Sequence, residues 1–389
     1  MKTLPLISVV IPTRNRQPYC MAAIEDILSY DDPQLELCIQ DNSDDDQLKQ
    51  YVEARKYDVR LVYRYVPERL NSLINMDQAI GMASGKYVIM LGDDDTILPD
   101  IFSTVQWMET NGVDSVCSNT RVQYFWPGAH AEDENGLMRI VSYDAKYCDR
   151  SMSENLHRLF RQGITRFKIY LLPQVYHGII LRERLQEIKQ RTGHFFGGLS
   201  PDIYSTIALC KVVENHRVIN TPVSIAGACK SSSTSQNTYK AHCGRLEDTP
   251  HLILRGPYEW DNYVPAYYSV ETLWAESAIK AVREMGMEEL LKEFNYSFLA
   301  AYALLNNRTI FKLAWQKTFS KQNYFVKNDP WLKWKFAIAV LQVLCDFAAR
   351  KWKRCFKTKS ENVVTFHGAE SISVAVKQYQ DWKDTVTKQ

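Results

Sequence analysis

Short apolar runs alternate with helical patterns through roughly the first 120 residues, and few folds accept that order. Ile7–Ile11, Leu35–Gln40, Val59–Val66, Tyr87–Leu91 and Val113–Cys117 read as strands. Tyr19–Leu28, Leu73–Ala83 and Pro99–Glu109, set between them, read as helices. Strands joined by helical crossovers pair in parallel, and a parallel sheet is covered on both faces, so its strands are apolar along their whole length. The expected fold class is therefore α/β, a Rossmann-like, mostly parallel sheet with helices on both faces. In such sheets the ligand lies beyond the carboxyl ends of the strands. Residues that directly follow a strand are the first site candidates.

A chain of 389 residues has ample material for a large core and suggests two or three domains. A formal net charge of only +2 argues against a nucleic-acid partner. Nine cysteines with no C-x-x-C pair fit reduced thiols in a cytoplasmic setting better than a disulfide framework or a zinc site. The opening "MKTLPLISVVIPTRNR" is broken by Pro5 and ended by Pro12 and Arg14, so it reads as a first strand rather than a signal peptide. The longest apolar stretch, Phe336–Ala349, contains Asp346 and is too short to span a bilayer.

Trp126–Cys148 is irregular and polar and reads as a long loop. The Ser- and Lys-rich "ACKSSSTSQNTYKAHCGR" reads as a mobile loop and an approximate boundary near residue 240. Beyond Tyr258 the pattern is mainly helical and ends in a basic tail.

Two acidic triplets stand out. Asp44–Asp46 lies in an Asn/Ser turn before a polar helix, where carboxylates favour the positive end of the helix dipole. Asp41 and Asn42, just after the second strand, are better placed to meet a ligand. Asp93–Asp95 is delivered by the apolar strand "YVIML" and followed by a helix start. Adjacent carboxylates ~5 Å apart repel by roughly 3 kcal/mol at an effective dielectric near 20, so a cleft must supply positive charge. Hard oxygen donors at a strand–loop junction suit Mg2+ or Mn2+ carrying a diphosphate. A capped turn before the helix at Pro99 is the plainer explanation.

The motifs "ISVVIPTRNR", "CIQDNSDD" and "NMDQAIGMASGKYVIMLGDDDTILPD", in this order and spacing, resemble inverting family 2 glycosyltransferases of the GT-A fold. The likeness covers roughly the first 120 residues and continues more weakly to about residue 235. It implies that Pro12, Thr13, Arg14, Asn15 and Asp41 hold the nucleotide of a nucleotide-sugar donor, UDP being the commonest. It also implies that the acidic D-x-D segment holds the metal and diphosphate, through Asp93, Asp94 and Asp95. One departure is that Gly92 stands where many members carry the first Asp. A metal role for Asp94 and Asp95, with Asp93 nearer the sugar or ribose, follows from a strict register.

Transfer with inversion needs a base opposite the leaving group. The family supplies one from an acid at a helix start about 100 residues further on, and "GHFFGGLSPDIYSTIAL" places Asp202 there. Ser200-Pro201-Asp202 also has the composition of a plain helix start, and both roles can hold at once. Glu183 and Glu214 are poorer candidates. Lys230, in the Ser-rich loop, is a suitable point charge for a diphosphate; a solvated linker is the competing reading. His177 and His194 are secondary candidates on the acceptor side. Trp260, Tyr263, Tyr267, Tyr268 and Trp274 could stack on sugars, although core packing accounts for most of them.

The resemblance thus implies a GT-A catalytic domain over residues 1–240 and a helical C-terminal region over 241–389. Its expected acceptor is a saccharide or polyprenol-linked saccharide of bacterial O-antigen or capsule assembly. At helical spacing, Phe336, Val340, Val343, Leu344 and Phe347 form an apolar face. Lys333, Lys335, Arg350, Lys351, Lys353 and Arg354 flank it, with Trp331, Trp334 and Trp352 near its ends. That composition suits a peripheral helix on the cytoplasmic face of an anionic membrane, and equally a helix packed on protein. The rivals are a sugar-nucleotide nucleotidyltransferase and a non-catalytic sugar-nucleotide-binding protein. "PTRNRQPY" lacks the glycines of the former's signature loop.

Overall fold

The computed structural model describes residues 4–54, 58–142, 150–230, 243–249, 252, 254–356 and 363–387. The apolar runs become strands of one seven-stranded sheet. In chain order they are β1 (Ile7–Thr13), β2 (Leu35–Asp41), β3 (Leu61–Tyr65) and β4 (Tyr87–Met90), then β6 (Ser115–Ser118), β9 (Ile179–Leu181) and β10 (His216–Ile219). Their order across the sheet is β10-β6-β9-β4-β1-β2-β3. All pairings are parallel except those of β9, which runs antiparallel to both β4 and β6.

Successive residues of a strand face opposite sides, and the cores divide accordingly. Val10, Cys38, Val88 and Met90 point into one. Val9, Ile11, Leu37, Ile39 and Ile89 point into the other, against α1 (Gln17–Leu28) and α4 (Asp100–Thr110). One buried carboxylate interrupts this pattern. Glu36 on β2 accepts from Ser8 Oγ (2.5 Å), Ser84 Oγ (2.6 Å) and Ser84 N (2.8 Å). Burial alone raises its pKa, but these hydrogen bonds outweigh burial and hold it below the ordinary glutamate range.

A second sheet, ordered β14-β8-β7-β11-β5, joins β5 (Thr96–Ile97), β7 (Thr120–Phe125), β8 (Leu137–Ser142), β11 (Ser224–Ala228) and β14 (Val363–His367). Part of the stretch expected to be a long loop is therefore strand. β8 lies inside this sheet, paired antiparallel with β7 on one side and β14 on the other. Residues 143–148 of that stretch lie outside the described residues, as do 231–242 of the Ser-rich loop.

The C-terminal third is mainly helical, and hydrophobic contacts run across residue 240. The helix Val270–Glu284 packs Ala275, Ala278 and Ile279 against Ile203 and Ile207 of the earlier helix Pro201–Val212. The final helix, Ile372–Thr387, covers the second sheet through Ile372, Ala375 and Tyr379. Between them lies the long helix Leu332–Phe356. Of the apolar face expected to meet lipid or to pack on protein, Phe336, Val340, Val343 and Phe347 pack on Phe298, Ala301, Tyr302 and Leu305 of the helix Tyr296–Asn306, and Leu344 is exposed. A different stripe of the same helix faces outward, carrying Trp334, Ile338, Leu341 and Trp352. No helix among the described residues is long and apolar enough to cross a membrane.

Candidate active site at the ends of β1 and β4

Three segments meet where β1, β2 and β4 end. The first is the loop after β1. Thr13, buried, donates its hydroxyl to Asp93 Oδ2 at 2.8 Å. Arg14 pairs with Asp44 at 2.8 Å. Asn15 adopts a left-handed φ of 56°, which asparagine tolerates, and exchanges hydrogen bonds with Asp44 through its side-chain amide. The sequence therefore undervalues the exposed triplet: Asp44 and Asp45 fasten this loop, Asp45 by accepting from Gln17.

A cavity of about 340 Å³ opens beside the loop. Pro12, Thr13, Arg14 and Asp93 line it, together with Arg16, Asn42 and Arg69. Asp41 does not. Its carboxylate is buried beneath, accepting from Ser43 N (2.9 Å) and Tyr63 Oη (2.7 Å). Asn42 takes its place at the surface of the pocket, braced by Val66 O and Glu68 O.

The acidic segment is the second part. Asp93, Asp94 and Asp95 are all buried, at 3, 4 and 1% exposure, but they do not act alike. Asp93 and Asp94 converge on one cation, the Arg16 guanidinium, at 2.5 and 2.9 Å. Asp94 also accepts from Cys229 N at 3.0 Å, and its backbone carbonyl receives Trp126 Nε1. Burial pushes Asp93 up to about 7, with Asp94 adding to the effect and Arg16 opposing it. Asp94 is likewise raised by burial and by Asp95.

Asp95 points away from that convergence. Its oxygens accept from Gly92 N (2.6 Å), Gly227 N (2.7 Å) and Tyr176 Oη (3.0 Å), and His177 Nε2 lies 3.2 Å away. Burial raises its pKa, but the His177 charge and these donors outweigh burial and hold it below the ordinary range. These donors already occupy the Asp95 carboxylate, and it faces away from the Asp93–Asp94 convergence. Among the described residues no group of three metal-ligating side chains is gathered. The Asp93–Asp94 pair does fit a hard divalent cation, because two buried carboxylates already share one cation position. Gly92 has its own reason: a Cβ there would lie 3.0 Å from Asp95 Oδ2 and 3.1 Å from Tyr176 Oη.

Asp202 is the third part. It sits in the first turn of the helix Pro201–Val212, with Pro201 at the helix start. Ser200 occupies the N-cap position without a side-chain cap; its N–H goes to Ser277 Oγ. Asp202 lines a second, smaller cavity of about 60 Å³ with Tyr176 and His177, both of which contact Asp95. His177 thus belongs to the site by way of Asp95, and Ser224 Oγ holds its other nitrogen at 3.0 Å. His194 does not belong: it contacts Tyr204 and Glu284 between two helices. Lys230 is exposed, lies against Gly128 and lines neither cavity.

Sequence reasoning missed Arg16, the residue that holds the acidic pair, and Cys229, which accepts from Arg16 at 2.5 Å. The one available signal for Arg16 is its position directly before the Gln17-Pro18 helix start, which turns its side chain back over the strand ends. Cys229 carries no local signal. Only the pairing of β11 with β5 and β7 brings it to Asp94.

Comparison with known proteins places this site in context. The profile of Glycosyl transferase family 2 matches residues 8–170, which contain the loop after β1 and the acidic segment. A Campylobacter jejuni GalNAc(5)-diNAcBac-PP-undecaprenol beta-1,3-glucosyltransferase is 31% identical over 288 residues, covering 71% of this chain and 84% of that protein. The putative colanic acid biosynthesis glycosyl transferase WcaA of Escherichia coli is 36% identical over 105 residues, 26% of this chain and 37% of that protein. Among solved structures, S. aureus TarS in complex with UDP-GlcNAc is similar at 13% identity and a TM-score of 0.43, covering 86% of this chain and 79% of that one.

Proposed function

The chain belongs to glycosyltransferase family 2, and from that premise we propose that it moves a sugar from a nucleoside-diphosphate donor to a saccharide hydroxyl with inversion. The observation that carries this reading is the convergence of Asp93 and Asp94 on a single cation at the wall of a cavity lined by Arg14, Arg16 and Arg69. A nucleoside diphosphate brings the matching negative charge. The nucleotide enters between the loop after β1 and Asn42, and UDP is the first donor nucleotide to test. Arg16 then exchanges its carboxylate partners for the diphosphate, since guanidinium matches phosphate geometry. Asp93 and Asp94 would hold Mg2+ or Mn2+, which supplies neutralising charge to the leaving diphosphate. Asp202 takes the proton of the acceptor hydroxyl, while Asp95 positions the acidic segment without touching substrate.

The setting we propose is assembly of a bacterial surface polysaccharide on a saccharide or polyprenol-linked saccharide. Two relatives support it by name, one colanic acid biosynthesis protein and one enzyme named for an undecaprenol-diphosphate acceptor. A lipid-linked acceptor makes contact with a membrane useful. The outward stripe of the helix Leu332–Phe356 supports that contact: Trp334, Ile338, Leu341 and Trp352 are 55–70% exposed, and Lys333, Lys335 and Lys351 flank them. Basic charge beside exposed tryptophans matches an anionic lipid surface. A second copy of the same face would bring like charges together. Flotation with anionic vesicles tests this: the full chain binds at low salt, and Trp334→Glu with Leu341→Glu abolishes binding. An intact chain that stays in solution overturns the membrane contact.

Incubation with a panel of nucleotide sugars and Mn2+ tests the activity itself, reading released nucleoside diphosphate. Product anomers read by NMR test inversion. Release from no donor in the panel, with or without a saccharide acceptor, would contradict the reading.

A further inference from the structure

The cavity beside Asp202 contains more positive charge than a base alone requires. Arg121 projects into it from β7, and Lys168 from the short turn Phe167–Tyr170. Both are half-buried, and neither has an ion pair among the described residues. Elsewhere in this chain half-buried arginines find carboxylates, as Arg60 finds Asp58 and Arg184 finds Asp114. Here one carboxylate, Asp202, faces two cations. Burial holds the Lys168 ammonium below the ordinary lysine range; Asp202 opposes that effect and Arg121 adds to it.

The backbone around the cavity is held in costly conformations. Ile164, Arg166, Leu171 and His177 all have φ between 50° and 62°. A β-branched residue there is disfavoured, and each such residue costs on the order of 1–3 kcal/mol. Two of these residues, Leu171 and His177, line the cavity, and Arg166 caps the turn that carries Lys168. Strain concentrated around unpaired charge is the arrangement of a preorganised binding site.

We propose that this cavity is an anion subsite for the acceptor, holding a phosphate or carboxylate group carried close to the hydroxyl that Asp202 deprotonates. The inference rests on the reading of Asp202 as the acceptor-side base and adds the substrate class: the acceptor is charged, not neutral. Arg121 supplies the planar fork and Lys168 the point charge, the division of labour by which proteins hold such groups.

Isothermal titration of the full chain with glycerol phosphate and, separately, glucuronate tests this, with glycerol and glucose as uncharged blanks. One charged probe binds saturably and the blanks do not. Tighter glycerol phosphate assigns a phosphate-bearing acceptor; tighter glucuronate assigns an acidic sugar. Arg121→Gln and Lys168→Met each weaken the bound probe about tenfold, whereas Arg121→Lys and Lys168→Arg, which keep the charge, retain most of it. UDP affinity stays within about twofold in all four, because neither residue lines the donor cavity. The inference is overturned if neither probe saturates, or if binding survives in the Arg121→Gln, Lys168→Met double variant. Probe binding needs no turnover, so it is independent of whether Asp202→Asn loses transfer; that kinetic result bears on the base alone.

Discussion

Two Asp-Asp-Asp runs in one chain meet opposite fates. Asp44–Asp46 follows β2 through a polar turn, and the Asp44 side chain is 65% exposed. Asp93–Asp95 follows β4, whose four residues are all buried, and no member exceeds 4% exposure. In water the first run screens its own repulsion and needs partners only to hold a loop. The second has lost that screening, so every carboxylate must find a cation or a set of donors. Asp93 and Asp94 find Arg16; Asp95 finds two backbone amides, a tyrosine and a histidine. Identical side chains thus become a loop fastener, a cation-holding pair and a buried anchor according to what the preceding strand does with them.

Breaking the buried pair has the largest expected effect. Asp94→Ala removes the residue that shares Arg16 and receives Cys229 N, and kcat falls by about 10³-fold, as for loss of a main charge-stabilising group. Asp46→Ala, in the exposed run, leaves kcat within about twofold because its exposed side chain accepts a hydrogen bond from Gln50 on the neighbouring surface helix rather than from a residue of the site. Steady-state release of nucleoside diphosphate measures both. Asp202→Asn comes next, lowering kcat by about 10²-fold with donor affinity unchanged, the signature of a lost general base. Asp95→Ala separates anchor from ligand. It destabilises the fold by about 3 kcal/mol in urea unfolding, since it strands buried donors, whereas Asp94→Ala changes stability far less.

A smaller effect sharpens the comparison through pH. The pKa of Asp93 in the folded chain, about 7, stands above the ordinary aspartate value. Between those values the folded chain keeps a proton that the unfolded chain releases, so Asp93 lowers stability as pH rises towards 7. Asp93→Asn therefore raises the Tm of the metal-free protein more at pH 8 than at pH 5. Equal shifts at both pH values would show that Asp93 is not held near neutrality.

Much of this was legible in advance, for a physical reason. Continuous apolar runs such as Ile7–Ile11 and Tyr87–Leu91 can only be buried parallel strands, and whatever follows them is carried to one edge of the sheet. That reasoning singled out Asp93 and Asp94, whereas Thr13 and Asp202 were picked out only by the family resemblance. It failed where placement depends on contacts distant in sequence. Asp41 follows a strand as the rule requires, yet Tyr63 on the neighbouring strand claims its carboxylate and leaves Asn42 at the pocket. Asp95 was grouped with its neighbours because nothing local reveals Gly227 or His177 behind it. The long helix Leu332–Phe356 has apolar residues on two stripes, and composition alone could not say which one packs on the helix Tyr296–Asn306.

The central claim is that the buried run holds a cation for the donor and the exposed run does not. Mn2+ binding in the presence of UDP, read by electron paramagnetic resonance on the full chain, tests it most directly. The account predicts that the wild type and Asp46→Asn bind Mn2+ with similar affinity and that Asp94→Asn loses it. Mn2+ binding that persists in Asp94→Asn, or that is lost in Asp46→Asn, would contradict it.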